Sequence, residues 1–153
     1  MIRSNSYLII LILMAFASCV KPPDYPIEPR IEFVSMNQST FNELDEDSLS
    51  IVIYFEDGDG DLGSEDSVNM FWEDSRVPGY LVPFKIPFFN VEGNSKAISG
   101  TITTYYPISF CYDDSDPIDT FYFKIFVEDR AGHQSNVDST DLIFINCNEG
   151  NRK

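Results

Sequence analysis

Asp57, Asp59 and Asp61 stand two residues apart in the stretch FEDGDGDLG, with Gly58 and Gly60 between them. Three carboxylates this close repel one another and hold protons more tightly than isolated ones. The glycines let the backbone curl until all three side chains point at one centre. Ca2+ takes about six to eight hard oxygens at roughly 2.3–2.6 Å, and alternating Asp on a curled loop supplies such oxygens. The chemistry that fits is binding of a divalent cation, with Ca2+ as the expected cofactor. The other reading is a solvated Asp-Gly turn between two strands. In a seven-stranded sandwich the loop after the second strand and the last hairpin lie at one end. Glu128 and Asp129 are therefore expected to complete the shell, with backbone carbonyls.

The loop is similar to the opening of an EF-hand loop and then departs from it. Leu62 stands where the glycine belongs, the glycine comes at Gly63, and the closing Glu position falls on Val68. No catalytic constellation accompanies the loop. His133 is the only histidine and falls in an expected turn. No Ser or Cys has a nucleophile's context. Asp113, Asp114 and Asp116 beside Pro117 read as a solvated turn rather than as a sugar-cleaving carboxylate pair. The chain is not expected to be an enzyme. A formal net charge of −15 repels nucleic acid, and no basic–aromatic patch or phosphate-binding glycine loop offsets it.

The elements that must position the acidic loop read as β throughout. RIEFVSM (30–36) alternates Ile31, Phe33 and Ser35 against Glu32, Val34 and Met36. SLSIVIYF (48–55) is β-branched and aromatic, and VNMFWE (68–73) is a shorter candidate. YLVPFKIPFFNV (80–91) is broken by Pro83 and Pro87, which marks an edge strand or an irregular crossing. KAISGTITTYY (96–106) and ISFCY (108–112) follow, separated by Pro107. DTFYFKIFVED (119–129) puts Phe121, Phe123, Ile125 and Val127 on one face, and TDLIFIN (140–146) closes the series. No helical period is sustained. The expected fold is all-β: a single antiparallel sandwich of about seven strands, immunoglobulin-like or fibronectin-III-like.

The first residues are an address rather than a strand. Arg3, an apolar run from Tyr7 to Ala17 and small residues before Cys19 describe a secretory signal. The run is short for a membrane span of about 20 residues, although an uncut anchor helix is the other reading. FASC (16–19) resembles the lipobox of bacterial lipoproteins, with Phe16 in place of the usual Leu. That resemblance implies cleavage before Cys19 and lipidation of Cys19. Two or more acyl chains on one residue anchor stably to a membrane, where one does not. Removal of residues 1–18 takes away Arg3 and no acidic residue, so the mature chain is still more acidic. Residues 19–29 hold four prolines and read as a semi-stiff tether. The sandwich is expected over 30–148, with a tail at 149–153. In an exported chain the remaining pair, Cys111 and Cys147, points to a disulfide at the end opposite the acidic loop. Two separate buried thiols are the alternative.

VEDRAGHQSN (127–136) resembles the penultimate strand and turn of bacterial immunoglobulin-like domains, with His133 where Asn is usual. The lipobox, the Pro-rich tether, FEDGDGDLG, KIPFF, KAISGTI and VEDRAGHQSN occur in that order in small outer-membrane lipoproteins of the Bacteroidota. The chain resembles them from end to end. The resemblance implies an exported, lipid-anchored protein of the outer membrane. It leaves open the membrane face, the partner and the oligomeric state, and it carries no defined activity. The expected function is a non-catalytic accessory module docked on an outer-membrane protein complex. The alternative is a glycan-binding lipoprotein that assists polysaccharide capture. For that alternative Trp72, Tyr80, Phe88 and Tyr105, with Phe89 and Tyr106, are the candidate exposed ligand contacts. Core packing is the other reading of these rings. Lipidation predicts that Cys19→Ala releases the protein from membranes, read by sedimentation after a carbonate wash. Continued sedimentation would identify an uncut anchor helix.

Overall fold

A computed structural model of the chain describes residues 23–44, 46–88, 97–108, 110–112 and 116–147. Cys19, Phe89, Asp113, Asp114 and the tail at 149–153 lie outside the described residues. Those described are strands and loops with no helix, in ten strands. They are β1 (Arg30–Met36), β2 (Thr40–Asn42), β3 (Ser48–Asp57), β4 (Met70–Asp74), β5 (Leu81–Phe84), β6 (Ile98–Pro107), β7 (Ile118–Phe121), β8 (Phe123–Val127), β9 (Asp138–Ser139) and β10 (Ile143–Asn146).

One sheet has the order β1-β3-β6, a second β5-β4-β8-β9, and a third β2-β10-β7. The second and third sheets share one long hairpin. Phe121 pairs with Ile143 in one ladder and Lys124 with Ser139 in the other, so the register slips by one residue between them. Tyr122 sits at the slip. Its N–H donates to Ser75 Oγ and its carbonyl accepts from the Ser75 N–H. The expected single strand over 119–129 is therefore two strands in two sheets. Its alternation survives, and Phe121, Phe123, Ile125 and Val127 all reach the core.

The two layers meet through residues that alternate inward. Leu49, Ile51, Ile53 and Phe55 of β3 face Trp72, Phe123 and Ile125 across one continuous core. Trp72 is the centre of that core: fully buried, 4.4 Å from the Phe84 ring and 6.1 Å from Tyr106 by centroid. Each such buried side chain contributes about 1.5–3 kcal/mol of transfer free energy.

Several expectations are corrected in detail. Ten strands replace about seven because β2 and β9 are too short for any pattern to register and the expected strand over 119–129 divides into β7 and β8. The described residues of 108–112 form no strand, since Pro107 ends β6. In β1 the register shifts between Phe33 and Ser35, which leaves Val34 exposed and turns Met36 toward the core. Pro83 lies in β5, which is an edge strand, as a residue lacking a backbone N–H requires. Along its other side β1 is held by side chains. Asn136 Oδ1 accepts from Ile31 N–H at 2.9 Å and Asp138 Oδ2 accepts from Phe33 N–H at 2.6 Å.

Cys111 and Cys147 form a disulfide with Cα atoms 6.0 Å apart, 36 residues apart in sequence. It lies beside Ile118 and Pro117, where β7 begins, and β8 ends at Val127 by the acidic loop. Replacing both cysteines with Ser should lower unfolding stability by about 3–4 kcal/mol in the chain-entropy picture, measured as a urea midpoint shift.

Candidate metal centre

Asp57 is the last residue of β3, and alternate residues of that strand face inward from Leu49 onward. Strand parity therefore puts the Asp57 carboxylate on the core side, and the residue is fully buried. Asp57 Oδ2 accepts from Leu62 N–H at 2.7 Å. That bond closes the loop and seats Leu62 in the core with no exposure. Gly60 reverses the chain at φ 71°, a conformation that side chains resist.

Two other segments close over the loop. Gly58 N–H donates to the Pro26 carbonyl at 2.8 Å. A Cβ at position 58 would stand 2.3 Å from the Tyr25 carbonyl oxygen, so only glycine admits the tether there. Gly63, at φ 95°, meets the Pro87 carbonyl just as closely. Arg130 reaches in from the hairpin turn and donates to the Gly63 carbonyl at 2.8 Å.

Under this cover Asp57 Oδ1, Asp59 Oδ1 and Asp61 Oδ1 are buried without a hydrogen-bond partner. One carboxylate oxygen from each residue lies within 4.8 Å of the others. Two ligands on opposite sides of a Ca2+ ion stand about 4.6–5.2 Å apart, so the three carboxylates lie within the span of one coordination shell. Burial pushes the Asp57 carboxyl above the usual range. The Leu62 N–H pulls it back, and Asp59 and Asp61 add to the rise. Burial also raises Asp61, and Asp129 and Asp59 raise it further against the pull of Arg130. Buried acceptors without donors cost about 1–3 kcal/mol each, more when charged.

Of the two residues expected to complete the shell, Asp129 stands close and Glu128 does not join. Asp129 is buried, and its charge is felt at Asp61. Both its oxygens already accept from His133, Oδ1 from the backbone N–H at 2.8 Å and Oδ2 at the ring Nδ1 at 2.9 Å. That contact raises the affinity of His133 for its proton. Glu128 is one step off in strand parity. Its side chain is exposed, while its N–H donates to the Asn69 carbonyl. Among the described residues the set that could grip one ion is Asp57, Asp59 and Asp61. The Tyr25 and Pro26 carbonyls were not foreseen as neighbours. Gly58 was the available signal, since a glycine between two inward Asp residues marks a close backbone approach.

The aromatic platform does not form as expected. Trp72 is core, with its indole N–H buried and without a partner. Tyr106 also turns inward against Trp72 and Phe123. Tyr105, on the outward side of β6, is exposed. Phe88 lies at the acidic end, with the Arg130 guanidinium 4.9 Å from its ring. Tyr80 follows the β4 turn toward the other end. Tyr80 and Tyr106 line one pocket there, and Trp72, Phe88 and Tyr105 lie apart from it.

No protein-family model matches the chain, and no curated protein matches it. Charge crowding predicts that Asp57→Asn raises the melting temperature of the metal-free chain. It removes one buried charge while keeping an acceptor for the Leu62 N–H. A fall in melting temperature would mean that the carboxylate is stabilised by something other than a cation.

Proposed function

We propose that the chain is a calcium-stabilised, lipid-anchored lipoprotein of the cell envelope, acting as a non-catalytic accessory module. One observation carries the calcium reading: Asp57, Asp59 and Asp61 bring one carboxylate oxygen each within 4.8 Å of the others, and each has a buried Oδ1 with no hydrogen-bond partner. The tether reading is supported at the same place, because the Pro26 carbonyl is bonded to the Gly58 N–H. An ion held by Asp57, Asp59 and Asp61 would fix the loop on which the tether rests. The domain would then stand at a set angle to its anchor at Cys19 and present a rigid surface to an outer-membrane partner complex. Strand pairing supports the immunoglobulin-like reading: β3 lies between β1 and β6, β4 pairs with β8, and β2 runs parallel to β10. His133 commits its Nδ1 to Asp129, which suits a structural turn better than a catalytic base.

Binding to the folded state alone adds about 2.7 kcal/mol at a hundredfold excess of ion over Kd. Millimolar Ca2+ should therefore raise the melting temperature over that in EDTA, and Asp59→Asn should remove the difference. Equal melting in both, for the native chain and the variant, would leave a solvated turn. The pH dependence has a definite sign. Asp57 and Asp61 hold protons more tightly in the fold than in the unfolded chain. Their contribution is present at low pH and is lost as pH rises through the window just above the usual carboxylate range. Protons and Ca2+ then compete, so the stabilisation by Ca2+ should shrink as pH falls into that window.

A further inference from the structure

At the end opposite the acidic loop, a pocket of about 320 Å3 opens between the turn after β4 and the segment after β6. Tyr80, Phe110 and Tyr112 stand on its rim, exposed by 63%, 57% and 58%, and Tyr106 lines its wall. Its charged groups are Asp74 and Arg76. The Arg76 guanidinium stacks 3.6 Å from the centre of the Phe121 ring. Its Nε and Nη2 donate to Asp74, and its Nη1 donates to Asp119 Oδ2 at 2.7 Å. Asp119 Oδ2 also accepts from Tyr112 N–H at 2.7 Å, and Cys111 is tied to Cys147. The rim is thus pinned on both sides.

We infer that this pocket binds a neutral sugar ring. Charge decides against the alternatives. Arg76 is balanced by Asp74 and Asp119, so an anion meets no free positive charge and two carboxylates. A cation finds both Asp74 oxygens already accepting from Arg76. A purely apolar ligand would cover the phenol groups of Tyr80, Tyr106 and Tyr112, which make no hydrogen bond among the described residues. It would also cover the one hydrogen left on each terminal nitrogen of Arg76. A pyranose offers an apolar C–H face to the rings and hydroxyls to those donors and acceptors at once. A volume of this size suits one or two rings rather than a macromolecular surface. The site is separate from the acidic loop and does not rest on calcium.

The test is calorimetric titration of the full-length chain in lipid nanodiscs. The probes are neutral tetrasaccharides of β-1,4-glucan, xylan, mannan and α-1,4-glucan, with tetragalacturonate as the anionic control. At least one neutral fragment should bind saturably. Tyr80→Ala and Tyr112→Ala, both on exposed rings, should each weaken it about tenfold or more. Tyr105→Ala should leave it unchanged, and EDTA should not abolish it. The inference is overturned if no neutral fragment saturates at millimolar concentration, if tetragalacturonate binds better, or if both rim variants bind as the native chain does. Binding lost in EDTA would place the sugar at the acidic loop and overturn it equally.

Discussion

Repulsion among Asp57, Asp59 and Asp61 is the constraint around which one end of this sandwich is arranged. Strand parity in β3 leaves the first of these carboxylates no way out. A shift by one residue would turn Leu49, Ile51, Ile53 and Phe55 out of the core together with it. Gly58 and Gly63 then bring the tether and the segment at Pro87 down over the loop, which removes the water that would screen the charges. Under the proposed function a divalent ion would reverse the sign of this interaction, and the cover that makes the crowded carboxylates costly would then make the loop rigid.

The far end is built on the opposite plan. There a single guanidinium is matched by two carboxylates, and a disulfide holds the strand termini. Burial works against the charge of Arg76, and Asp74 and Asp119 more than restore it. Between the ends runs a core of alternating aliphatic and aromatic residues centred on Trp72. Under the proposed function this division has a use: the acidic end faces the anchor, and the aromatic end faces away from it. The hairpin of β7–β8 with β9–β10 connects them along the length of the domain.

Much of this was legible in the sequence. Alternation identified β1 and the β7–β8 run, and β-branched and aromatic residues identified β3, because these side chains suit a strand with one face against the core. Pro83 and Pro107 marked an edge and an end for steric reasons. The acidic loop was legible from spacing, and the Cys111–Cys147 pair from parity of number and compartment. What escaped depends on contacts between distant segments. The slip at Tyr122 is imposed by Ser75, forty-seven residues away in sequence. Glu128 and Asp129 look equivalent on paper, but alternate parity sends one to solvent and one inward. Trp72 looked available for ligand contact in an irregular stretch. It is core because β4 is a central strand flanked by β5 and β8.

The most direct measurement is a calcium titration of the metal-free chain, followed by calorimetry or equilibrium dialysis. One saturable ion per chain is expected, with binding lost in Asp57→Asn and kept in Glu128→Gln. The absence of a saturable site at millimolar Ca2+ would contradict it, as would binding that needs Glu128 but not Asp57.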